Sequence, residues 1–92
     1  YGGEEFLLVL PETHYKNASR LAERLRKQIS KKKFSWEEEK VSITASFGVT
    51  GIDKGANLEN FSVEDLIEMS DQYLYRAKNS GRNKVIGGPF AT

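Results

Sequence analysis

Two short stretches of this 92-residue chain carry side chains that could handle phosphate and a divalent cation. The first is Gly2-Gly3-Glu4-Glu5, directly after Tyr1. Adjacent carboxylates on a turn offer oxygen ligands to Mg²⁺. The two glycines leave room for a phosphate or a ribose to approach the backbone. Taken alone, these residues read more simply as a solvated hairpin turn with two charges in water. The second stretch runs from Tyr73 to Asn83, YLYRAKNSGRN. There Lys78 could act on a polyphosphate as a mobile point charge and Arg82 as a bidentate fork. Cations at a helix C-terminus also serve the helix dipole, and spacing alone does not divide the two readings.

Other chemistries find little support. His14 is the single histidine, in the first turn of an expected helix, and reads as an ordinary surface residue. There is no cysteine, so a disulfide framework, a thiolate metal site and a cysteine nucleophile are all excluded. The serines lack any His/Asp arrangement for triad hydrolysis.

The elements that must position these residues follow from periodicity. Phe6-Leu7-Leu8-Val9-Leu10, closed by Pro11, reads as a short buried strand. The glycine pair before it implies a hairpin with a strand preceding Tyr1. Ala18, Leu21, Ala22, Leu25 and Ile29 fall at helical spacing, which predicts an amphipathic helix over 14–30 with Thr13 as N-cap. Lys31, Lys32 and Lys33 suit its negative end. Phe34 to Lys40 reads as a short edge strand or a loop. Val41, Ile43, Ala45, Phe47 and Val49 alternate with polar or small residues, which predicts one half-buried strand over 41–50. A polar loop follows to Asn60. Ser62, with Asp65 three residues on, opens a second helix as a capping box. Val63, Leu66, Ile67, Ser70, Leu74 and Ala77 are expected to form its buried stripe, and Gly81 ends it. Lys84 to Gly87 closes the chain as a strand. The order strand, helix, strand, helix, strand predicts an α+β (α/β) sandwich, one unit with helices packed on a sheet.

Composition agrees with a small globular domain: 38% hydrophobic, 29% charged and a formal net charge of +1. Nothing electrostatic demands a nucleic acid or a membrane surface. No apolar run approaches the ~20 residues of a membrane span. With no disulfide, signal or span, a cytoplasmic setting is the expectation.

Read together, the motifs resemble the GGDEF family of diguanylate cyclases. Tyr1-Gly2-Gly3-Glu4-Glu5-Phe6 is similar to the family signature in its GGEEF form. Leu8-Val9-Leu10-Pro11, Ala22-Glu23-Arg24-Leu25-Arg26, Ser42 to Val49 and Asp71 to Asn83 resemble the segments that follow it, in the same order. The resemblance covers residues 1–87. It implies a nucleotide-cyclase or polymerase palm type of fold, ferredoxin-like, of which this chain would be a truncated β-α-β-α-β portion. It implies that two GTP molecules condense to cyclic di-GMP and two pyrophosphates, with one GTP held by each subunit of an antiparallel homodimer. Carried over, Glu4 would be the catalytic residue and a metal ligand, with Glu5 supporting the Mg²⁺ or Mn²⁺ site. Gly2 and Gly3 would admit the nucleotide, and Lys78 and Arg82 would bind its terminal phosphates.

The resemblance further implies that residues 1–92 form the C-terminal portion of a single GGDEF domain. The other metal-binding aspartate, the guanine-reading residues, the product-inhibition motif and a sensory or receiver domain would all lie upstream. A central strand is expected between 6–10 and 41–50. Without it this portion would be inactive alone, with unpaired edges that favour dimerisation, strand swapping or a rearranged sheet. Two other readings stand beside this one. One is a catalytically silent GGDEF domain that binds GTP as a regulator; the intact Gly2 to Glu5 run speaks against it. The other is a small α/β RNA- or protein-interaction module using the basic face of helix 14–30. An RNA-recognition sheet needs exposed strand aromatics, and Phe47 falls on the apolar face instead.

Overall fold

The computed structural model describes residues 5–52 and 62–90. Two helices and four short strands run in the order α1 (Tyr15–Lys31), β1 (Lys33–Trp36), β2 (Glu39–Ser42), β3 (Phe47–Val49), α2 (Val63–Asn79) and β4 (Val85–Gly87). The fold is mixed α+β, as the periodicity predicts. Its strands pair differently from the expectation.

The centre of the molecule is a β-α-β unit. β3 and β4 pair in parallel, with Phe47 opposite Val85, Gly48 opposite Ile86 and Val49 opposite Gly87. Parallel neighbours need a crossover, and α2 lies in it. Gly48 shows how closely that helix packs. A β-carbon placed there would lie 2.2 Å from both the Leu74 nitrogen and the Ser70 carbonyl oxygen. Only glycine lets the helix backbone rest on the strand. One residue along the ladder the opposite face is covered by α1, whose Ser19 hydroxyl would meet a β-carbon on Gly87 at 2.4 Å. Successive strand residues face opposite sides, so the two helices sandwich the parallel pair. The small core reflects this close approach: Ala18, Ala22 and Ala77 are its buried apolar residues, Ala77 completely so.

Both helices start and stop near the expected positions. α2 opens on the predicted capping box. The Ser62 hydroxyl accepts from the Asp65 backbone nitrogen at 3.2 Å, and the Asp65 carboxylate accepts from the Ser62 nitrogen at 2.9 Å. α1 is capped by His14 rather than Thr13. His14 Nδ1 accepts the Lys16 backbone N–H at 3.1 Å, while the Thr13 hydroxyl turns back to donate to the Pro11 carbonyl. His14 is therefore a surface residue with a capping task.

Three strand expectations are corrected. Residues 6–10 form no strand, and Phe6 and Val9 stand 86% and 76% exposed. A strand is stable only with a ladder partner, and no described strand pairs with this run. The alternating run 41–50 is divided. Its start belongs to β2, in an antiparallel hairpin with β1, and its end to β3. Residues 43–46 between them are in no strand. The β1–β2 hairpin is exposed along its whole length, so the expected half-buried pattern fails there. It turns through Glu37 and Glu38, both left-handed, as a tight two-residue hairpin loop requires. On α2, Val63 is exposed rather than part of the stripe.

Candidate functional site

The end of α2 is built in detail. After Asn79 the helix stops at Ser80, and Gly81 swings to φ +119°. The Arg82 N–H then reaches back to the Ala77 carbonyl at 2.9 Å. That bond closes a C-terminal capping turn of Schellman type, for which a left-handed glycine is the usual residue. The Ser80 hydroxyl donates to the Arg76 carbonyl at 2.6 Å, and the Asn79 amide donates to the Tyr75 carbonyl at 2.8 Å. Lys84 donates to the Ser80 carbonyl. The carbonyls that a helix end leaves unpaired are thereby largely satisfied.

Left-handed backbone continues beyond the glycine, through Arg82 at φ +60° and Asn83 at φ +50°. For residues with a β-carbon this costs on the order of 1 kcal/mol each, less for asparagine. The turn is held from two sides. The Asn83 N–H donates to the Ser46 hydroxyl at 3.0 Å. Arg26 of α1 donates from one terminal nitrogen to the Asn83 side-chain oxygen at 3.0 Å, with a longer 3.4 Å contact to its carbonyl. The other nitrogens of Arg26 are engaged by Glu23, through Nε at 2.7 Å and through an ion pair at the remaining terminal nitrogen. That hydrogen bond from Arg26 holds the Glu23 carboxyl below the usual carboxylate range; desolvation partly opposes it, and the charges of Arg26 and Lys27 assist.

Lys78 projects from the last turn of α2 and donates to Glu5 Oε2 at 2.9 Å, across 73 residues of sequence. Both side chains are about one-third exposed, 32% and 33%. An ammonium has three donors, so two remain for other oxygens. Arg82 is exposed, and among the described residues no hydrogen bond or ion pair engages its guanidinium. The end of α2 therefore presents one cation that a carboxylate already steadies and one that is open to water. Both suit phosphate oxygens.

Of the residues singled out by sequence, the structure brings Glu5 and Lys78 together and puts Arg82 beyond the same helix end. Gly2, Gly3 and Glu4 lie outside the described residues. Among the described residues no three acidic or histidine side chains gather as a metal cluster. A hard divalent cation takes about six oxygens, part of them from phosphate and water. Glu5 can contribute to such a set, and with Lys78 on one oxygen it fits the supporting place rather than a ligand set of its own. An open depression on α2, lined by Glu68, Asp71, Gln72, Tyr75 and Arg76, contains none of these residues.

Sequence reasoning missed Arg26, Ser46 and Asn83. Arg26 stands outside the apolar positions of α1 and in the sequence is only part of the segment 22–26, whereas in the fold it reaches a turn 57 residues away. One available signal was asparagine directly after Gly-Arg, since asparagine tolerates left-handed backbone.

Comparison with known proteins bears on the same residues. The sequence profile of the family described as "Diguanylate cyclase, GGDEF domain" matches residues 1–84. Diguanylate cyclase A of Treponema denticola is 36% identical over 85 residues, 92% of this chain and 22% of that protein. The response regulator PleD of Caulobacter vibrioides is 38% identical over 89 residues, 95% of this chain and 19% of its own length. Diguanylate cyclase VdcA of Vibrio cholerae is 44% identical over 89 residues, 94% and 25% respectively. The chain thus spans between about a fifth and a quarter of the length of these three relatives.

Proposed function

The chain belongs to the GGDEF family of diguanylate cyclases, and from that premise we propose that it carries the phosphate-binding end and the signature turn of a diguanylate cyclase site. The observation that carries this reading is the Glu5–Lys78 ion pair at 2.9 Å. It supports a single site formed by the two motifs that sequence places at opposite ends of the chain.

In the proposed reaction, the 3′-oxygen of one GTP attacks the α-phosphorus of another. A new P–O bond forms, the bond to pyrophosphate breaks, and the hydroxyl proton leaves to a base. Two such steps give cyclic di-GMP and two pyrophosphates, with a homodimer holding one GTP in each subunit. Glu4 takes the proton. Gly2 and Gly3 let the nucleotide close on the backbone. Lys78 and Arg82 hold the terminal phosphates and stabilise charge that grows as pyrophosphate departs. Mg²⁺ or Mn²⁺, held by Glu4 with Glu5 beside it, would supply charge neutralisation on the phosphates. We read residues 1–92 as the C-terminal portion of one palm-type GGDEF domain. It would act in the cytoplasm under the control of an upstream sensory or receiver domain. Among the described residues no helix is long and apolar enough to cross a membrane.

The test is a cyclase assay on the full-length protein with GTP and Mg²⁺, following cyclic di-GMP by chromatography. Glu4→Ala is expected to lower kcat by roughly 10²–10⁴, the range for losing a general base. Arg82→Ala is expected to raise the GTP KM about tenfold or more, as for a lost charge-assisted bond. Binding of GTP without any product from the unmodified protein would overturn the cyclase reading in favour of a silent regulator.

A further inference from the structure

We propose that Arg26 on α1 and Ser46 ahead of β3 are positioning residues for Arg82: by gripping Asn83 they hold the left-handed turn that keeps the Arg82 guanidinium at the phosphate-binding end of α2. This rests on the reading of Arg82 given above and adds residues to it.

Three features converge on this turn. Gly81, Arg82 and Asn83 have φ values of +119°, +60° and +50° in succession. Two of the three carry a β-carbon, and such backbone persists only where its surroundings over-determine it. The surroundings here are specific. The Asn83 N–H is fixed at 3.0 Å by Ser46, and its side-chain oxygen is fixed at 3.0 Å by Arg26. Arg26 is itself locked, because Glu23 takes Nε and one terminal nitrogen while Asn83 takes the other. A planar guanidinium can serve both partners at once; a lysine ammonium lacks that fork. Arg82 sits between the Gly81 turn and the clamped Asn83, so its backbone direction is set from both sides. Its exposed side chain contributes nothing to the clamp.

The experiment uses the full-length protein and inorganic pyrophosphate without divalent metal, with affinity read by calorimetry. Arg26→Ala, Asn83→Gly and Arg82→Ala are compared singly, and each of the first two is also combined with Arg82→Ala. Arg26→Ala and Asn83→Gly are each expected to weaken pyrophosphate about fivefold, within the range of contact-coupled residues. Neither is expected to weaken it further once Arg82 is alanine. Asn83→Gly changes no charge and keeps a residue that accepts left-handed backbone, so it reads the same contact if Arg26→Ala fails to fold. An equal loss with and without Arg82 overturns the proposal, because Arg26 would then act through its own charge. Wild-type affinity in Arg26→Ala and Asn83→Gly, with Arg82→Ala weakened, overturns it and leaves the phosphate reading intact. Unchanged affinity in Arg82→Ala overturns the phosphate reading of Arg82 and this proposal together.

Discussion

The end of α2 and the segment from Glu5 to Leu10 meet at one ion pair, yet they are held by opposite means. Residues 78–83 are tied by a capping turn, by hydrogen bonds of Asn83 with Arg26 and Ser46, and by a helix lying directly on Gly48. Residues 6–10 belong to no strand, and Phe6 and Val9 face water. The first region is stabilised by contacts between α1, α2 and the parallel pair, all within the described chain. The second is a run of five apolar residues beside Glu5, and among the described residues its polar tie to α2 is the ion pair of Glu5 with Lys78. A partly exposed pair of this kind contributes under about 1 kcal/mol. Backbone pairing orders an apolar run; apolar character alone does not.

The sharpest way to break this contrast is Gly48→Ala. The new β-carbon would lie 2.2 Å from two backbone atoms of α2. Backbone cannot move aside as a flexible side-chain tip can, so the helix must lift from β3. The expected loss is about 3 kcal/mol or more, beyond ordinary overpacking, measured by urea unfolding. An unchanged midpoint would show that α2 does not rest on this strand.

A smaller effect is expected on acidification. The folded state holds the Glu23 carboxyl below its ordinary value, through the hydrogen bond from Arg26. A depressed carboxyl contributes stability that is fully present above the unfolded value and is lost as pH falls through the folded one. Wild-type chain should therefore lose more stability than Glu23→Gln as pH drops through and below the normal carboxylate range. Parallel acid profiles for the two proteins would dismiss the Glu23–Arg26 pair as a support of the turn.

The smallest effect is expected at the loose end. Phe6 is 86% exposed, so Phe6→Ala should change the unfolding free energy of this chain by less than about 0.5 kcal/mol. A loss of about 3 kcal/mol, typical of a truncated core phenylalanine, would mean that residues 6–10 are covered after all and would remove the contrast.

Much of this was legible in the sequence. The Ser62–Asp65 capping box, the stop at Gly81 and the spans of both helices rest on interactions within five residues, so local spacing encodes them. The two motifs that carry Glu5, Lys78 and Arg82 also stand out as residue types. The strands are less legible. Alternation in residues 41–50 marks extended backbone, but it does not say that 39–42 pair with 33–36 while 47–49 pair with 85–87. Nor does it reveal that Gly48 lies beneath a helix.

By itself, then, the sequence determined the two helices, the caps of α2 and the family. Each follows from a short-range period or an ordered set of motifs. Only the tertiary structure decided which strands pair, that both faces of β3–β4 are covered, that Glu5 reaches Lys78 and that Arg26 grips Asn83. Those contacts join residues 57 and 73 positions apart. Their geometry depends on how two helices settle against one parallel pair, a property of packing that no local stretch of the chain contains.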